Sequence, residues 1–131
     1  MRPEESHYSL DWLRIPERDL ARVQRCLGDN DPEAAALFLQ QAMAKFLKAF
    51  LLSSGWQLRR IHDLEALLDD AVAYDQELES FRPLCQRVTD YYLVERYPLL
   101  GVTGPTDEEV RASSDAVQPL LERIRHALGA E

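Results

Sequence analysis

The chain has 131 residues, of which 46% are hydrophobic and 29% charged, and its formal net charge at pH 7 is −8. These values are typical of one globular domain with its own core, and they exclude a disordered chain or two domains. Stretches without a charged residue reach about a dozen residues. A membrane-spanning helix needs about 20 apolar residues, so we expect no membrane contact. The negative charge also argues against duplex DNA as a partner.

Residues 1–10 are predicted to form a flexible tail, and residues 11–131 a single helical domain. The opening "MRPEESHYSLDW" contains acids and no apolar block with a cleavage site, so we expect no secretory signal and a cytoplasmic location. Cys26 and Cys85 have no CxxC or Cys/His ligand spacing. They are expected to be reduced, structural thiols, and neither a metal ion nor a cofactor is predicted.

The first predicted helix begins near Pro16 and ends at Gly28, because proline fits the first turn of a helix and glycine stops one. Its apolar positions fall on one face: Leu13, Leu20, Val23 and Leu27. The "GDNDP" that follows predicts a turn, with Asp31 as the N-cap of the next helix and Pro32 in its first turn.

The second predicted helix, residues 32–54, is apolar around most of its circumference, which indicates a central helix or an oligomer interface. At 100° per residue, Gln41, Lys45 and Lys48 fall within a stripe roughly 60° wide, with Phe38 and Leu52 along its edge. Two lysines therefore share one face of an otherwise apolar helix.

Three further helices are predicted, one capped by Asp63, one over residues 81–96, and one opened by the capping box of Thr106 and Glu109. Pro119 lies inside the last pattern and is expected to kink that helix. No alternation typical of strands competes with the helical spacing. The predicted fold is all-α, an up-and-down antiparallel bundle of about five helices.

Two groups of polar residues are candidates for binding. The turn that carries Arg59, Arg60 and His62 precedes a helix N-terminus, where cations and free N–H groups can hold a phosphate or carboxylate. The alternative is that His62 only makes a helix-entry hydrogen bond. At the end of the fourth helix, Tyr92, Arg96 and Tyr97 could stack a base and hold a phosphate, or could serve only core and interface packing.

The charge of the chain is unevenly distributed. Residues 33–62 sum to +3, from Glu33 against two lysines and two arginines, whereas residues 63–80 carry seven acids and no base. One explanation is a solvated acidic helix beside a mildly basic one. The other is a surface that meets an anionic partner at one place and a basic partner at another.

Three segments carry a resemblance to a known family: "DWLRIPERDLARVQRCL", "DPEAAALFLQQAMAKFLKAFLLSSGWQLRRIHDLEALLDDA" and "DYYLVERYP". In this order they resemble the first helix, the second and third helices with their basic turn, and the fourth-helix signature of the HEPN family, the higher eukaryote and prokaryote nucleotide-binding domain. The likeness covers roughly residues 10–128. It implies a helical bundle that usually dimerises, so we expect a homodimer.

The family's activities are divided. Many members are RNases of toxin–antitoxin or defence systems, with an Arg followed after four to six residues by a His on the fourth helix. Here that spacing occurs only at Arg2 and His7, in the predicted tail, and chance alone explains one such match. The region around Arg87 and Arg96 contains no histidine, so the acid or base for RNA cleavage is missing where the family places it. No catalytic residue is therefore predicted.

The resemblance favours the other branch of the family, small proteins paired with a minimal nucleotidyltransferase and proposed to bind nucleotides. The leading hypothesis is a non-catalytic, dimeric partner or regulatory subunit of such an enzyme, in a pair like a toxin–antitoxin system. Its candidate contacts with a nucleotide or partner are Lys45, Lys48, Arg59, Arg60, His62, Tyr92, Arg96 and Tyr97. The alternatives are a metal-independent RNase with a displaced motif and a purely structural interaction module.

Overall fold

The computed structural model describes residues 11–55, 63–96 and 104–129, with side chains in the second range as far as Tyr91. These parts contain six α-helices and one 3₁₀ helix, and no strand. The helices are α1 (Arg14–Gly28), α2 (Pro32–Ser53), α3 (Leu64–Val72), α4 (Arg82–Arg96), α5 (Asp107–Ala116) and α6 (Gln118–Ala127), with the 3₁₀ helix Gln76–Phe81 before α4. The prediction of an all-α fold of about five helices is confirmed, and the described residues have six α-helices because the last predicted helix is divided in two.

α1 and α2 form an antiparallel pair joined by a short turn. α1 begins at Arg14, two residues before the predicted start, since Pro16 occupies its first turn and leaves the preceding residues free to be helical. Asn30 adopts a positive φ of 58° in the turn. The predicted cap at Asp31 is confirmed, because its carboxylate accepts a hydrogen bond from the N–H of Ala34 at 3.2 Å.

α2 is the central helix, and it contacts α1, α3, α4, α5 and α6. The side chains that it buries completely point in several directions around its axis, which explains why its sequence is apolar almost throughout. The largest of them are Leu39, Met43, Phe46, Leu47 and Leu51. The helix ends at Ser53, one residue before the predicted end, and Gly55 follows with a φ of 95° that favours glycine.

The segment between α3 and α4 contains a helix that the sequence pattern did not predict. Asp63 caps α3 as expected, by accepting from the N–H of Glu65 at 3.1 Å. The 3₁₀ helix Gln76–Phe81 then follows, capped by Asp75 through the N–H of Glu77 at 3.2 Å. α4 consequently begins at Arg82, one residue later than predicted. α3 and the 3₁₀ helix thus each begin with an acidic cap and an acidic first turn.

The last predicted helix is divided rather than kinked. The capping box of Thr106 and Glu109 is confirmed, with both hydrogen bonds at 3.1 Å. α5 ends at Ala116 and α6 begins at Gln118, so Pro119 lies in the first turn of a new helix. Proline needs no hydrogen bond there, and a break before it relieves the expected clash with the preceding turn.

α2 is also the helix, among the described residues, that is long and apolar enough to cross a membrane by length and composition. Of its most apolar window, 61% is buried inside this fold. A core helix passes the same test, so this property is weak evidence for a span.

Candidate functional site

The predicted lysine face of α2 contains an ion pair that reaches α1. The Nζ atom of Lys45 donates to Oδ2 of Asp19 at 2.7 Å. The Asp19 side chain is completely buried, while 40% of the Lys45 side chain is exposed. Lys45 therefore compensates a buried carboxylate at the contact between two helices, and only part of its charge is open to a ligand.

Arg22 completes this contact from the α1 side. Its Nη1 atom donates to the other oxygen of Asp19, at 3.0 Å, and its guanidinium lies 5.6 Å from the centre of the Phe38 ring. One carboxylate is thus shared by two cations, each more than a third exposed. We call Asp19, Arg22, Phe38 and Lys45 the α1–α2 ion cluster, and its formal charge is +1.

Lys48 lies one turn further along α2 and makes no hydrogen bond or ion pair with the described residues. Its side chain is half-buried. Burial lowers the pKa of Lys48 below its usual 10.5, and the charge of Lys45 lowers it further. An anion bound here would relieve both effects, so Lys48 and Lys45 together form a suitable place for a phosphate.

The other predicted binding residues lie wholly or partly outside the described part of the chain. Arg59, Arg60, His62 and Tyr97 lie outside the described residues, and so do the side chains of Tyr92 and Arg96, whose backbone belongs to the last turns of α4. The predicted convergence of the basic turn, the tyrosine group and the two lysines therefore stays a prediction.

Tyr91, beside that group, has a packing role. It is buried, and its hydroxyl lies 3.1 Å from Oγ of Ser113 and donates to the carbonyl of Glu109 at 3.4 Å. The side chain thereby ties α4 to α5. This agrees with the packing interpretation of the aromatic residues at this end of α4.

A second ionic network surrounds Arg82, and here the arginine is the central member. Its Nη1 atom lies 3.4 Å from Glu65, and its Nη2 atom lies 2.7 Å from Asp69 and 2.9 Å from Glu79. Hydrogen bonds from Arg82 hold the pKa of Glu79 below its usual value and, reciprocally, raise the pKa of Arg82 itself. Arg82 connects α3, the 3₁₀ helix and α4.

Arg123 of α6 forms the continuation of this network. It lies 3.0 Å from Asp75 and 2.8 Å from Glu77, and its hydrogen bonds lower the pKa of Asp75. Arg123 also borders an open groove, which Gln76, Ser80, Phe81 and Pro119 line as well. We call these two arginines and the carboxylates that they contact the acidic corner. Its five acids are Glu65, Asp69, Asp75, Glu77 and Glu79, so that with Arg82 and Arg123 its charge is −3.

The two cysteines match the structural role expected of them. Both are free thiols. Burial raises the pKa of Cys85 to about 12, and it also raises the pKa of Cys26, with the nearby Asp31 and Asp29 adding to the effect. Thiols with a raised pKa carry little thiolate at neutral pH and are poor nucleophiles.

The sequence prediction identified the lysines of α2 but missed their partner on α1. Asp19 lies four residues before Val23 and three after Pro16, on the face of α1 that is buried. A carboxylate at a buried helical position requires a cation. The position of Asp19 at this helical spacing could therefore have predicted its ion pair from the sequence alone.

Comparison with protein families gives one match. The model described as "HEPN domain" matches residues 9–127, which is most of the chain. Comparison with curated proteins and with solved structures gives no match.

Proposed function

Because the chain belongs to the HEPN family, whose helical domains are of a nucleotide-binding or RNase type, we propose that it is a non-catalytic nucleotide-binding member. In this proposal, it acts as the partner or regulatory subunit of a minimal nucleotidyltransferase. The lysine face of α2 binds the phosphates of the nucleotide. The likeness to a toxin–antitoxin pair and the homodimer belong to the same proposal.

The observation that carries the proposal is the state of Lys48. A half-buried ammonium group beside a second lysine, without a carboxylate among the described residues, is electrostatically unfavourable in the free protein. Such a group gains more from an incoming phosphate than a solvated, paired lysine does. Lys45, already held by Asp19, would supply a second and weaker contact.

The sequence of α4 supports the absence of catalysis. Residues 82–104 contain no histidine, so the acid or base of the family's RNase motif is not present in that region. His126, the one histidine among the described residues, is exposed on α6 and therefore does not belong to α4. Among the described residues, no observation favours the alternative of an RNase with a displaced motif.

Isothermal titration with ATP, AMP and inorganic phosphate tests the phosphate contact. We expect Lys48→Ala to weaken ATP binding about tenfold, the effect of losing one charge-assisted contact. Arg87→Ala is the matched control, because Arg87 is also a cation without an ion pair among the described residues and lies on α4. Equal loss in both variants, or no ATP binding by the unaltered protein, would contradict the proposal.

The pH dependence provides a second test of the same contact. Lys48 loses its proton at a lower pH than an ordinary lysine, because its pKa is lowered. ATP affinity should therefore fall as the pH rises towards that pKa, while the triphosphate stays fully ionised. Lys48→Ala should remove this fall. An equal decline in the variant would assign the titration to another group.

Co-expression tests the role as a partner. We expect the chain to co-purify, at a fixed ratio, with a minimal nucleotidyltransferase encoded beside it. Light scattering gives the stoichiometry and shows whether the chain alone is dimeric. A monomer that recovers no such enzyme would contradict the partner role, and it would leave the nucleotide measurement to be judged separately.

A further inference from the structure

The outer face of α1 carries a row of arginines. Arg14, Arg18, Arg22 and Arg25 are separated by four, four and three residues. At 100° and 1.5 Å per residue, this spacing keeps all four within about 80° of the helix circumference and along about 16 Å of its length. We call this row, together with Ile15, the α1 arginine face.

Two of these four arginines already have an ion-pair partner. Arg14 pairs with Asp11 at 2.8 Å, and Arg22 pairs with the buried Asp19. Arg18 and Arg25 are exposed and make no ion pair with the described residues. Two free guanidinium groups seven residues apart, which is two helical turns, therefore point away from the domain.

An apolar residue lies beside these cations. Ile15 is 54% exposed, and the other large hydrophobic residue exposed to a similar degree in the described part of the chain, Tyr74, lies in the turn after α3. Trp12 is partly buried against the core one turn before Pro16. The α1 arginine face thus combines charge with an apolar anchor, which is the composition of a protein interface.

The distribution of charge argues for a short acidic partner rather than a nucleic acid. A nucleic acid presents a long row of phosphates, but only two arginines of this face lack an ion pair with the described residues, and the chain as a whole has a charge of −8. Asp29 and Asp31 follow immediately after the end of α1. A partner helix as long as α1, with carboxylates two turns apart, would pair with Arg18 and Arg25 without approaching Asp29 and Asp31.

We propose that the α1 arginine face docks an acidic amphipathic helix of a partner protein. Carboxylates of that helix pair with Arg18 and Arg25, and an apolar side chain covers Ile15. This inference rests on the proposed function in one respect: it gives the chemistry of the segment through which the proposed partner would bind. The phosphate contact at Lys48 belongs to α2 and is measured separately.

The test uses a fluorescent peptide of about 18 residues, long enough for partial helicity, with one apolar stripe flanked by glutamates two turns apart. Anisotropy at low salt should show saturable binding to the full chain. Arg18→Gln/Arg25→Gln should weaken it about tenfold, from the loss of two exposed ion pairs that become partly desolvated. Ile15→Ser should weaken it about threefold, because its side chain is only half exposed before binding.

Controls separate this proposal from its alternatives. Arg87→Gln removes an exposed cation of α4 that makes no ion pair with the described residues, and it should leave the affinity unchanged. A peptide of the same composition but scrambled order should bind more weakly. Absence of peptide binding, equal loss in Arg87→Gln, or tighter binding of a single-stranded oligonucleotide of equal charge through the same arginines would overturn the proposal.

The nucleotide measurement shows which proposal fails. Arg18→Gln/Arg25→Gln should retain ATP affinity, and Lys48→Ala should retain peptide affinity, since the two contacts belong to different helices. Loss of ATP binding alone would contradict the proposed function and leave the docking face standing. Circular dichroism of each variant should remain unchanged, because both arginines are exposed on the surface of α1.

Discussion

The α1–α2 ion cluster and the acidic corner use the same residue types in opposite arrangements. In the cluster, the shared group is a carboxylate: Asp19 is completely buried, and its two cations are 40% and 42% exposed. In the acidic corner, the shared group is an arginine: Arg82 is 25% exposed, and its carboxylates are 38%, 63% and 53% exposed. One region has an excess of positive charge, and the other an excess of negative charge.

The difference in burial changes what these pairs contribute. A buried carboxylate has lost its hydration, so it depends on its cations, and removal of one leaves a costly charge. Exposed carboxylates keep water and are screened by salt, so each pair contributes little. The cluster should therefore determine how α1 packs on α2, whereas the acidic corner should adjust stability without being essential to the fold.

The largest effect is expected from Lys45→Ala. The variant leaves Asp19 buried with Arg22 alone, and we expect the free energy of unfolding to fall by about 2–3 kcal/mol, at the low end for a broken buried pair because Arg22 remains. Lys48→Ala is the matched control on the same face of α2. It removes no ion pair among the described residues, so its cost should stay within about 0.5 kcal/mol. Urea unfolding followed by circular dichroism measures both.

The free energies of unfolding of these two variants can also contradict the expected dependence of Asp19 on Lys45. Equal costs for Lys45→Ala and Lys48→Ala would show that burial of Asp19 creates no special dependence on Lys45. A further variant, Lys45→Ala/Asp19→Ala, should recover much of the lost stability, because it removes the unpaired carboxylate together with its cation.

The helices were predictable because their signals are local. Asp31, Asp63 and Thr106 each cap a helix with their own side chain, and apolar spacing identified α2 as central. The 3₁₀ helix Gln76–Phe81 was missed, since a single acidic turn resembles a loop in sequence. The Pro119 break was expected as a kink, since sequence spacing does not show where a chain restarts a helix.

The site was predictable only in part. The lysine stripe follows from helical geometry within α2, but Asp19 and Lys45 are 26 residues apart and meet only through packing. Arg123 and Asp75 are 48 residues apart, and neither carries a local signal for the other. Long-range ion pairs depend on the relative placement of helices, which a single sequence does not specify.

A smaller effect, and a different dependence on salt, is expected from Arg82→Ala. The variant removes one cation from three exposed carboxylates, and we expect a loss of stability at low ionic strength that is clearly smaller than that of Lys45→Ala. About 1 M NaCl should reduce this loss to less than half, because the pairs are solvated and screened. The loss in Lys45→Ala should change much less with salt. A loss in Arg82→Ala that is independent of salt would indicate that Arg82 contributes mainly through packing of its aliphatic stem.

The smallest effect is expected from Arg123→Ala, and its pH dependence identifies the pair. Hydrogen bonds from Arg123 lower the pKa of Asp75 below its usual 3.8, so the stabilisation is fully present above that value and is lost as the pH falls through the lower, folded-state pKa. The variant should therefore be slightly less stable than the unaltered chain near pH 7, and the difference should disappear once the pH lies below the folded-state pKa of Asp75. Arg87→Ala, which removes no ion pair among the described residues, should show no such dependence. A difference for Arg123→Ala that persists in acid would mean that Arg123 acts through its contacts along the groove beside Phe81 and Pro119, and not through the charge of Asp75.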